Sequence, residues 1–395
     1  MLNFLLIIVK LLFMSTLKKQ SITEDAYQKA GHILHICAKP VGFYASGLPG
    51  GYEAVWARDS MIASLGAALL GAEFKPAFTK SIEILSKNQS ALGQIPNCVG
   101  SFNDDRQSDV TFNTIDSSLW YLIGQKIYLQ AYDNFLQEKY KNNIAQAMLW
   151  LKYQDPDEVG VLAQQPTSDW FDAFPHKYGY TINTQALYYA VLKQADDESG
   201  AENLKKIING EKSKYISLYN EKLDYYWPWG WKNHNEYREH EDWFDTLGNL
   251  LAIVTGLATP AIAKSILRFI EKEKINKPYP CKCIWPPIKR GDKAWHDYFA
   301  DCDARTPYHY SNAGVWTFIG GFYVAALVKM GEFKKAQAEL EKLAVANLQK
   351  LDGYEFNEWL DGKTGKPHGG GYQAWSAGMF IYASECVKQK KVLWF

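Results

Sequence analysis

The 395-residue sequence lacks a net charge, because 43 lysines and arginines balance 43 aspartates and glutamates. A balanced chain produces no long-range field that attracts nucleic acid or an anionic membrane surface. The sequence therefore predicts no nucleic-acid partner and no required membrane partner. It leaves open whether the chain forms a homo-oligomer.

Cysteine is sparse and irregularly spaced, with six residues in the whole chain. Disulfide frameworks are typical of much smaller secreted domains. Cys281 and Cys283, with Cys302 further along, lack a fourth ligand at the spacing that structural zinc sites use. We therefore predict reduced thiols, a cytoplasmic location, no metal and no other cofactor.

No apolar run is long enough to cross a bilayer comfortably. Residues 1–14, MLNFLLIIVKLLFM, are apolar over about a dozen positions, whereas a membrane helix needs about 20. The run also lacks the basic segment and the cleavage site of a signal peptide. We treat residues 1–20 as an apolar extension, arising from a mis-assigned start codon or serving as a weak anchor.

The sequence also has no Pro/Ser-rich linker or charged run that would divide it, so residues 21–395 are expected to form one catalytic domain. Periodicity predicts helices of two alternating kinds. Six carry one apolar stripe, as in FKKAQAELEKLAVANL from Phe333. Six others are apolar nearly all round and begin near Ser60, Ile115, Ile182, Asp245, Asn312 and Tyr372.

Helices that are apolar all round must be buried, and striped helices can cover them. Six of each kind in alternation predict an all-α fold, an (α/α)6 barrel formed by a closed ring of helical hairpins. A generic helical bundle and an open solenoid are the alternatives.

Aromatic residues are in excess, with 14 Trp, 25 Tyr and 19 Phe making 15% of the chain. Many stand beside polar residues in predicted loops, where indole and phenol rings suit stacking on sugar rings. These loops precede the apolar helices, as in GYEAVWARD, SDWFDAFPHKYGY and FNEWLDGKTGKPHGGG. If all hairpins run the same way, the loops meet at one mouth of the barrel, which we predict to be the binding site.

Glycoside hydrolysis needs one carboxyl to protonate the leaving oxygen and a second carboxylate as base or nucleophile. Asp59 and Asp116 could equally be helix caps. Asp172 differs because the apolar residues around it in sequence would raise its pKa, as a general acid requires. The carboxyl groups available in the loops are Glu53, Asp59, Asp116, Asp169, Asp172, Glu239, Glu241, Asp245 and Glu358.

Several motifs resemble those of one group of glycosidases. GYEAVWARDSMI from Gly51 resembles the YEAVWIRDF segment of neutral/alkaline invertases, and WFDTLGNLLAIVTGLATP from Trp243 resembles their WFALGNCVAILSSLATP. TIDSSLWYLI from Thr114 resembles VDASLWF of the amylo-α-1,6-glucosidase-like C-terminal domains of glycogen-debranching enzymes. The resemblance runs in consistent order from about residue 40 to residue 387. It implies an inverting glycoside hydrolase on an (α/α)6 barrel.

The resemblance also implies roles for individual residues. Asp172 falls on the general acid of these enzymes and Glu358 on the general base. Positions expected to line the sugar subsite are Arg58, Asp59, Asp116, Asn312, Gln373 and Trp375. Further candidates for substrate binding in the same loops are Tyr52, Asp169, Trp243 and His309. Five tryptophans are expected to wall a pocket closed at one end: Trp56, Trp170, Trp316, Trp359 and Trp375.

An inverting mechanism places a water between the two carboxyl groups, so Asp172 and Glu358 are expected to face each other at about 6.5–9.5 Å. The base must be ionised at the working pH. The glycines at 369–371 are expected to let the chain turn without crowding the sugar.

The substrate is predicted less sharply than the mechanism. Tyr180, Thr181 and Asn183 replace the His, Pro and Glu that follow the acid in invertases. We predict an exo-acting enzyme that releases a terminal monosaccharide from a small oligosaccharide, either an α-glucoside or a sucrose-type sugar. The alternatives are a strict β-fructofuranosidase, a non-catalytic sugar-binding protein and an epimerase. An epimerase would work through pairs of histidines, and no helical pair is formed by His234, His240, His309 or His368.

Overall fold

The fold was analysed in a computed structural model that describes residues 21–100, 108–212, 216–232, 237–301 and 305–395. The predicted N-terminal extension, His234 and Cys302 lie outside these residues.

The described residues form thirteen α-helices, numbered here in chain order. They are α1 (Ile22–Cys37), α2 (Ala57–Leu70), α3 (Lys75–Lys87), α4 (Asp116–Ala131), α5 (Phe135–Lys139), α6 (Lys141–Lys152), α7 (Ile182–Gln194), α8 (Glu198–Ile208), α9 (Thr246–Thr255), α10 (Pro260–Lys272), α11 (Thr317–Lys329), α12 (Phe333–Asn347) and α13 (Ala374–Gln389). Two short 3-10 helices span Ala72–Phe74 and Asp297–Asp301.

Six of these helices form an inner ring, in the order α2, α4, α7, α9, α11 and α13. Each packs against the next, and α13 packs against α2, so the ring closes. The inner helices are buried on nearly every side, as their apolar sequences require. The outer helices α3, α6, α8, α10 and α12 each pack against the inner helix that precedes them, and α1 packs against α13. The predicted (α/α)6 barrel is confirmed.

The outer helices are amphipathic, and α10 shows how such a helix is built. Thr259 caps its N-terminus by accepting a hydrogen bond from the Ile262 N–H at 3.3 Å, and Pro260 occupies the first turn. Ile262, Ile266 and Ile270 are buried at a helical spacing, while its charged residues face outward.

The ring closes through a very close contact between α2 and α13. A Cβ atom built on Gly66 would lie 1.9 Å from the carbonyl oxygen of Gly378, and one on Gly378 would lie 2.4 Å from the Ala63 carbonyl oxygen. Only glycine permits the two backbones to approach so closely. These two glycines therefore set the spacing at which the first and last inner helices meet.

Short β-strands, which the sequence analysis did not predict, order the loops between the helices. β6 (Tyr180–Thr181) and β11 (Phe244–Asp245) lead directly into inner helices, and β13 pairs with β14 in a hairpin. The strands are β1 (Ala38–Lys39), β2 (Gly42–Phe43), β3 (Val55–Trp56), β4 (Cys98–Val99), β5 (Val110–Thr111), β6, β7 (Tyr219–Asn220), β8 (Tyr225–Tyr226), β9 (Trp229–Lys232), β10 (Arg238–His240), β11, β12 (Ile284–Trp285), β13 (Trp359–Leu360) and β14 (Pro367–His368).

The N-terminal ends of the inner helices lie at one mouth of the barrel. Side chains from the loops before α2, α7, α11 and α13 line a single cavity there. The convergence of the aromatic loops predicted from the sequence is therefore confirmed for these four loops. Among the described residues, no helix combines the length and hydropathy needed to cross a membrane.

Candidate active site

A cavity of about 550 Å³ opens at the mouth of the barrel. Ten residues predicted from the sequence line it: Tyr52, Trp56, Arg58, Asp59, Trp170, Asp172, Trp316, Glu358, Gln373 and Trp375. The structure thus brings together both predicted catalytic carboxyl groups and most of the predicted binding residues.

Glu358 lies immediately before β13, and the glycines that follow that hairpin hold it in place. The Glu358 N–H donates to the carbonyl oxygen of Gly370 at 2.9 Å, and the Tyr52 hydroxyl donates to Glu358 Oε1 at 3.1 Å. Gly369 adopts a φ of +71°, and a Cβ atom there would lie 2.4 Å from Glu358 Oε2. Gly369 is therefore required both for the turn and for the space that the carboxylate occupies.

Burial raises the pKa of Glu358 to about 7, and the negative charges of Asp59 and Asp172 act in the same direction. Hydrogen bonds from Tyr52 and the Gly370 backbone oppose this shift. A general base must be ionised at the working pH. In this structure that condition is met only above about pH 7, since the carboxyl is protonated below its pKa.

Asp172 lies in the loop before α7, between aromatic residues that also line the cavity. Its side chain is exposed to solvent in the cavity, while protein encloses it on the remaining sides. This enclosure raises the pKa of Asp172, and the Arg58 guanidinium opposes the rise. A carboxyl with a raised pKa that solvent and ligand can reach has the properties of a general acid.

A buried ion-pair triad supports the loop that carries Asp172. The Lys177 ammonium lies 2.8 Å from Asp169 Oδ2 and 3.0 Å from Asp245 Oδ2, and all three side chains are fully buried. Asp169 also accepts a hydrogen bond from the Phe171 N–H at 2.9 Å, and Asp245 caps α9. Asp169 was predicted to bind substrate, but its carboxylate is used inside the protein.

A second group of charges surrounds Arg58. Its Nη1 donates to Asp116 Oδ2 at 3.1 Å, and its Nε lies 3.8 Å from Asp59 Oδ2. Asp116 is fully buried and does not line the cavity, so we expect it to orient Arg58 rather than to contact a ligand. Asp59 does line the cavity, and burial raises its pKa to about 6 against the effect of Arg58.

Aromatic rings form much of the cavity wall. Trp316 meets Trp170 at a ring-centroid distance of 5.6 Å and Trp375 at 5.7 Å, in both cases edge to face. Trp375 stacks on Phe318 at 4.1 Å, and the Trp316 indole N–H donates to the Tyr310 carbonyl oxygen at 3.0 Å. These contacts fix the rings before any ligand arrives.

Four further residues predicted to bind substrate do not line the cavity. Asn312 is fully buried and bonds to the backbone of Ile288 and Arg305, so it joins two loops. Trp243 packs edge-on against Phe171, behind the wall. We therefore expect Asn312 and Trp243 to support the site rather than to contact a sugar.

His309 and Trp359, the other two, belong to a separate cluster on the β13–β14 hairpin. His309 Nε2 lies 3.3 Å from Asp361 Oδ2, and Trp359 stacks on His368 at a ring-centroid distance of 4.4 Å. Trp359 was predicted to wall the pocket because it follows Glu358 directly. Alternation along β13 turns it away from the cavity that Glu358 lines.

Five residues that line the cavity were not predicted from the sequence. Tyr310, with a φ of +42°, contributes its side chain to the cavity and its carbonyl oxygen to Trp316. It lies two positions before Asn312, which was expected in the sugar subsite, so its place in that loop was the available signal. The other lining residues missed are Ala45, Phe171, Phe174 and Ser311.

Within the described part of the chain, no three His, Cys, Asp or Glu residues are grouped so that they could hold a metal ion. Cys281 and Cys283 are buried free thiols, and burial raises the pKa of each. The donor set of the cavity is therefore one of carboxyl groups, an arginine, an amide and aromatic rings.

Comparisons with known proteins bear out the resemblance. Residues 233–390 match the family described as alkaline and neutral invertase. Over 342 residues the chain is 22% identical to the probable alkaline/neutral invertase A, chloroplastic, of Arabidopsis thaliana, covering 70% of this chain and 52% of that protein. It is 33% identical over 147 residues to cytosolic invertase 1 of Oryza sativa subsp. japonica, covering 36% of this chain and 25% of that protein.

Solved structures share the fold along nearly the whole chain. The GH63 mannosylglycerate hydrolase from Thermus thermophilus, in complex with Tris and D-glycerate, has a TM-score of 0.66 at 12% identity, covering 90% of this chain and 99% of that one. A rhamnosidase from Klebsiella oxytoca with rhamnose bound has a TM-score of 0.60 at 15% identity, covering 91% of this chain and 63% of that one. At these identities the likeness shows the fold alone.

Proposed function

We propose that this chain is an inverting, exo-acting glycoside hydrolase that releases a terminal monosaccharide from a small oligosaccharide. The observation that carries the proposal is the placement of Asp172 and Glu358 in one aromatic-walled cavity, where burial raises the pKa of both carboxyl groups. The invertase-type sequence resemblance supports the same class of reaction.

In the proposed reaction the protonated Asp172 carboxyl donates its proton to the glycosidic oxygen as the bond from that oxygen to the anomeric carbon breaks. A water attacks the anomeric carbon from the opposite face, and the ionised Glu358 carboxylate takes the proton that the water loses. The new bond forms on the face opposite the leaving group, so the configuration inverts. Each cycle leaves Asp172 ionised and Glu358 protonated, and solvent restores both.

The remaining lining residues have roles in holding the sugar. The apolar faces of Trp170, Trp316 and Trp375 offer stacking surfaces for a ring. Asp59 and Gln373 provide polar atoms for its hydroxyl groups, and Arg58 supplies the positive charge among the carboxyl groups. Since these aromatic residues enclose the cavity, we propose that it accepts one terminal sugar.

We propose an α-glucoside or a sucrose-type sugar as the substrate, acted on in the cytoplasm. A strict β-fructofuranosidase is the second candidate, because residues 233–390 match the alkaline and neutral invertase family. These residues include the loops before α11 and α13, which line the cavity. An epimerase is disfavoured because no histidine lines the cavity among the described residues.

The test is the release of reducing sugar from sucrose, maltose, isomaltose and trehalose, with the first product followed by proton NMR. The proposal predicts cleavage of a disaccharide into its two monosaccharides, with inverted configuration in the one whose anomeric carbon the water attacked. Absence of hydrolysis across the panel contradicts the proposed activity, and a retained configuration contradicts the inverting mechanism. Early release of longer fragments from a malto-oligosaccharide would show an open cleft instead of a closed pocket.

A further inference from the structure

Glu358 lies between two cavities. Besides the aromatic-walled cavity, it lines a second one of about 740 Å³, together with Tyr52 and Gln373, which line both. The rest of the second cavity consists of Ser46, the turn at residues 48–51, and Gly370. We call it the glycine cavity. Pro49 and Gly50 at its rim are exposed, so it is open to solvent.

The two cavities differ in the carboxyl groups that line them. Asp172, Arg58 and the tryptophans line the aromatic cavity only, whereas Glu358 lines both. In an inverting hydrolysis the general acid stands on the leaving-group side, and the base stands on the face that water attacks. A cavity that contacts the base and lacks the acid therefore lies on the water side.

We propose that the glycine cavity delivers the nucleophilic water to Glu358 while a sugar occupies the aromatic cavity. This inference rests on the proposed function and assigns a route that the reaction needs, because a bound sugar fills the approach from the other side. Tyr52 and Gln373 stand where the two cavities meet and leave Glu358 accessible from both.

Hydrogen bonds between the loops hold the walls of the glycine cavity in a defined shape. Ser46 Oγ donates to the Gly371 carbonyl oxygen at 3.1 Å, and the Gly47 N–H donates to the Tyr372 carbonyl oxygen at 3.0 Å. The Gln373 amide donates to the Gly370 carbonyl oxygen at 3.1 Å. The first two bonds tie the loop before α2 to the loop before α13, and the third lies within the loop before α13.

Gly370 offers a way to fill this cavity without disturbing Glu358. Its φ is not in the left-handed region, and a Cβ atom built there meets only Gln373 Nε2, at 3.5 Å. The backbone groups of Gly370 that bond to Glu358 and Gln373 remain after substitution. A side chain at position 370 would thus occupy space in the glycine cavity, and its nearest contact would be Gln373, which lines both cavities.

The experiment is a graded series, Gly370→Ala and Gly370→Leu, measured on the disaccharide that the wild type hydrolyses fastest. Gly31→Ala and Gly31→Leu are the matched controls, because Gly31 lies on α1 and a Cβ atom there meets only Leu70 Cδ1, at 3.8 Å. We expect Gly370→Leu to lower kcat on the order of 10–100-fold. The KM of Gly370→Leu should stay within about twofold of the wild-type value, since the substitution changes no residue that lines the aromatic cavity. The kcat of Gly370→Ala should fall between those of the wild type and Gly370→Leu.

Azide provides a second measurement that a structural defect would not imitate. In Glu358→Ala, azide attacks the anomeric carbon in place of water, the bond to the leaving oxygen breaks, and Asp172 protonates that oxygen. At saturating substrate the aromatic cavity is occupied, so azide must arrive from the other side. Adding Gly370→Leu is expected to lower the rate of glycosyl azide formation by the same factor as it lowers kcat.

An unchanged kcat in Gly370→Leu, or an unchanged azide rate, would overturn the proposed water route. A rise in KM that grows with the size of the leaving group would overturn it too, by showing that the glycine cavity binds the leaving group. Circular dichroism checks that each variant is folded, and Gly370→Ala supplies the result if the leucine variant is not. If the wild type hydrolyses no sugar in the panel, the proposed function itself fails, an outcome distinct from a null effect at Gly370.

Discussion

Tyr52 donates a hydrogen bond to Glu358 at 3.1 Å and so joins two loops that are 306 residues apart in the sequence. The bond stabilises the ionised form of the carboxyl and holds its Oε1 atom in a fixed position. In the mechanism we propose, Tyr52 therefore lowers the pKa of the base and fixes the orientation of its carboxylate.

Replacing Tyr52 by phenylalanine removes this bond and keeps the ring. We expect the pKa of Glu358 to rise, so that the acidic limb of the kcat/KM profile moves to higher pH. The rate at the optimum should fall by about 10–100-fold through loss of orientation. Tyr44→Phe is the control, because Tyr44 lies in the same loop but does not line the cavity. An unshifted acidic limb in Tyr52→Phe would contradict this role.

The pH dependence of the wild type follows from the raised pKa of Glu358. A base accepts a proton only when it is ionised, so activity should rise with pH and reach half its plateau near the carboxyl pKa of about 7. Asp59 and Asp172 interact with Glu358, so the measured value belongs to the group of carboxyls. Full kcat/KM at pH 5 would be inconsistent with Glu358 as the base.

Asp172→Asn tests the general acid. The amide keeps the shape of the carboxyl but cannot give a proton, so hydrolysis of a disaccharide should slow by about 10²–10⁴-fold. An aryl glycoside with a good leaving group needs less protonation and should lose much less. Equal losses on the two substrates would indicate a binding role for Asp172 instead.

Gly369→Ala tests whether the turn after the hairpin makes room for the base. The new methyl would lie 2.4 Å from Glu358 Oε2, so the carboxylate must move, and a displacement of about 1 Å can cost on the order of 10²-fold in rate. Gly353→Ala is the matched control, since its φ of +90° carries similar backbone strain and a Cβ atom there meets nothing within 4 Å. Equal activity in the two variants would remove this explanation for Gly369.

The sequence predicted the barrel well because burial leaves a clear periodic signal. Inner helices such as α11 are apolar on every face, and outer helices such as α10 are apolar on one stripe, so the alternation of layers could be read directly. The close contact of Gly66 with Gly378 could not be predicted, because it depends on the crossing of helices at opposite ends of the chain.

Prediction of the site was less complete, for a physical reason. Asp116 begins α4 and Asp169 lies in the loop before α7, both at positions where a ligand group would be expected. Nothing in the local sequence shows that Arg58 and Lys177 pair with them inside the protein. Trp359 follows Glu358 in sequence, but strand geometry sends adjacent side chains to opposite faces. Motifs thus identified the loops, and only the fold determined which side chains of each loop face the cavity.

Replacement of Glu358 by glutamine tests the central claim most directly, because it removes the base and keeps the size and polarity of the side chain. The measurement is hydrolysis of the best disaccharide beside calorimetric binding of that same sugar to the variant. The account predicts that hydrolysis is abolished, while the dissociation constant stays within about threefold, a change of less than 1 kcal/mol in binding free energy. Full activity in Glu358→Gln would contradict the account and move the search for the base to Asp59, the remaining carboxyl that lines the cavity.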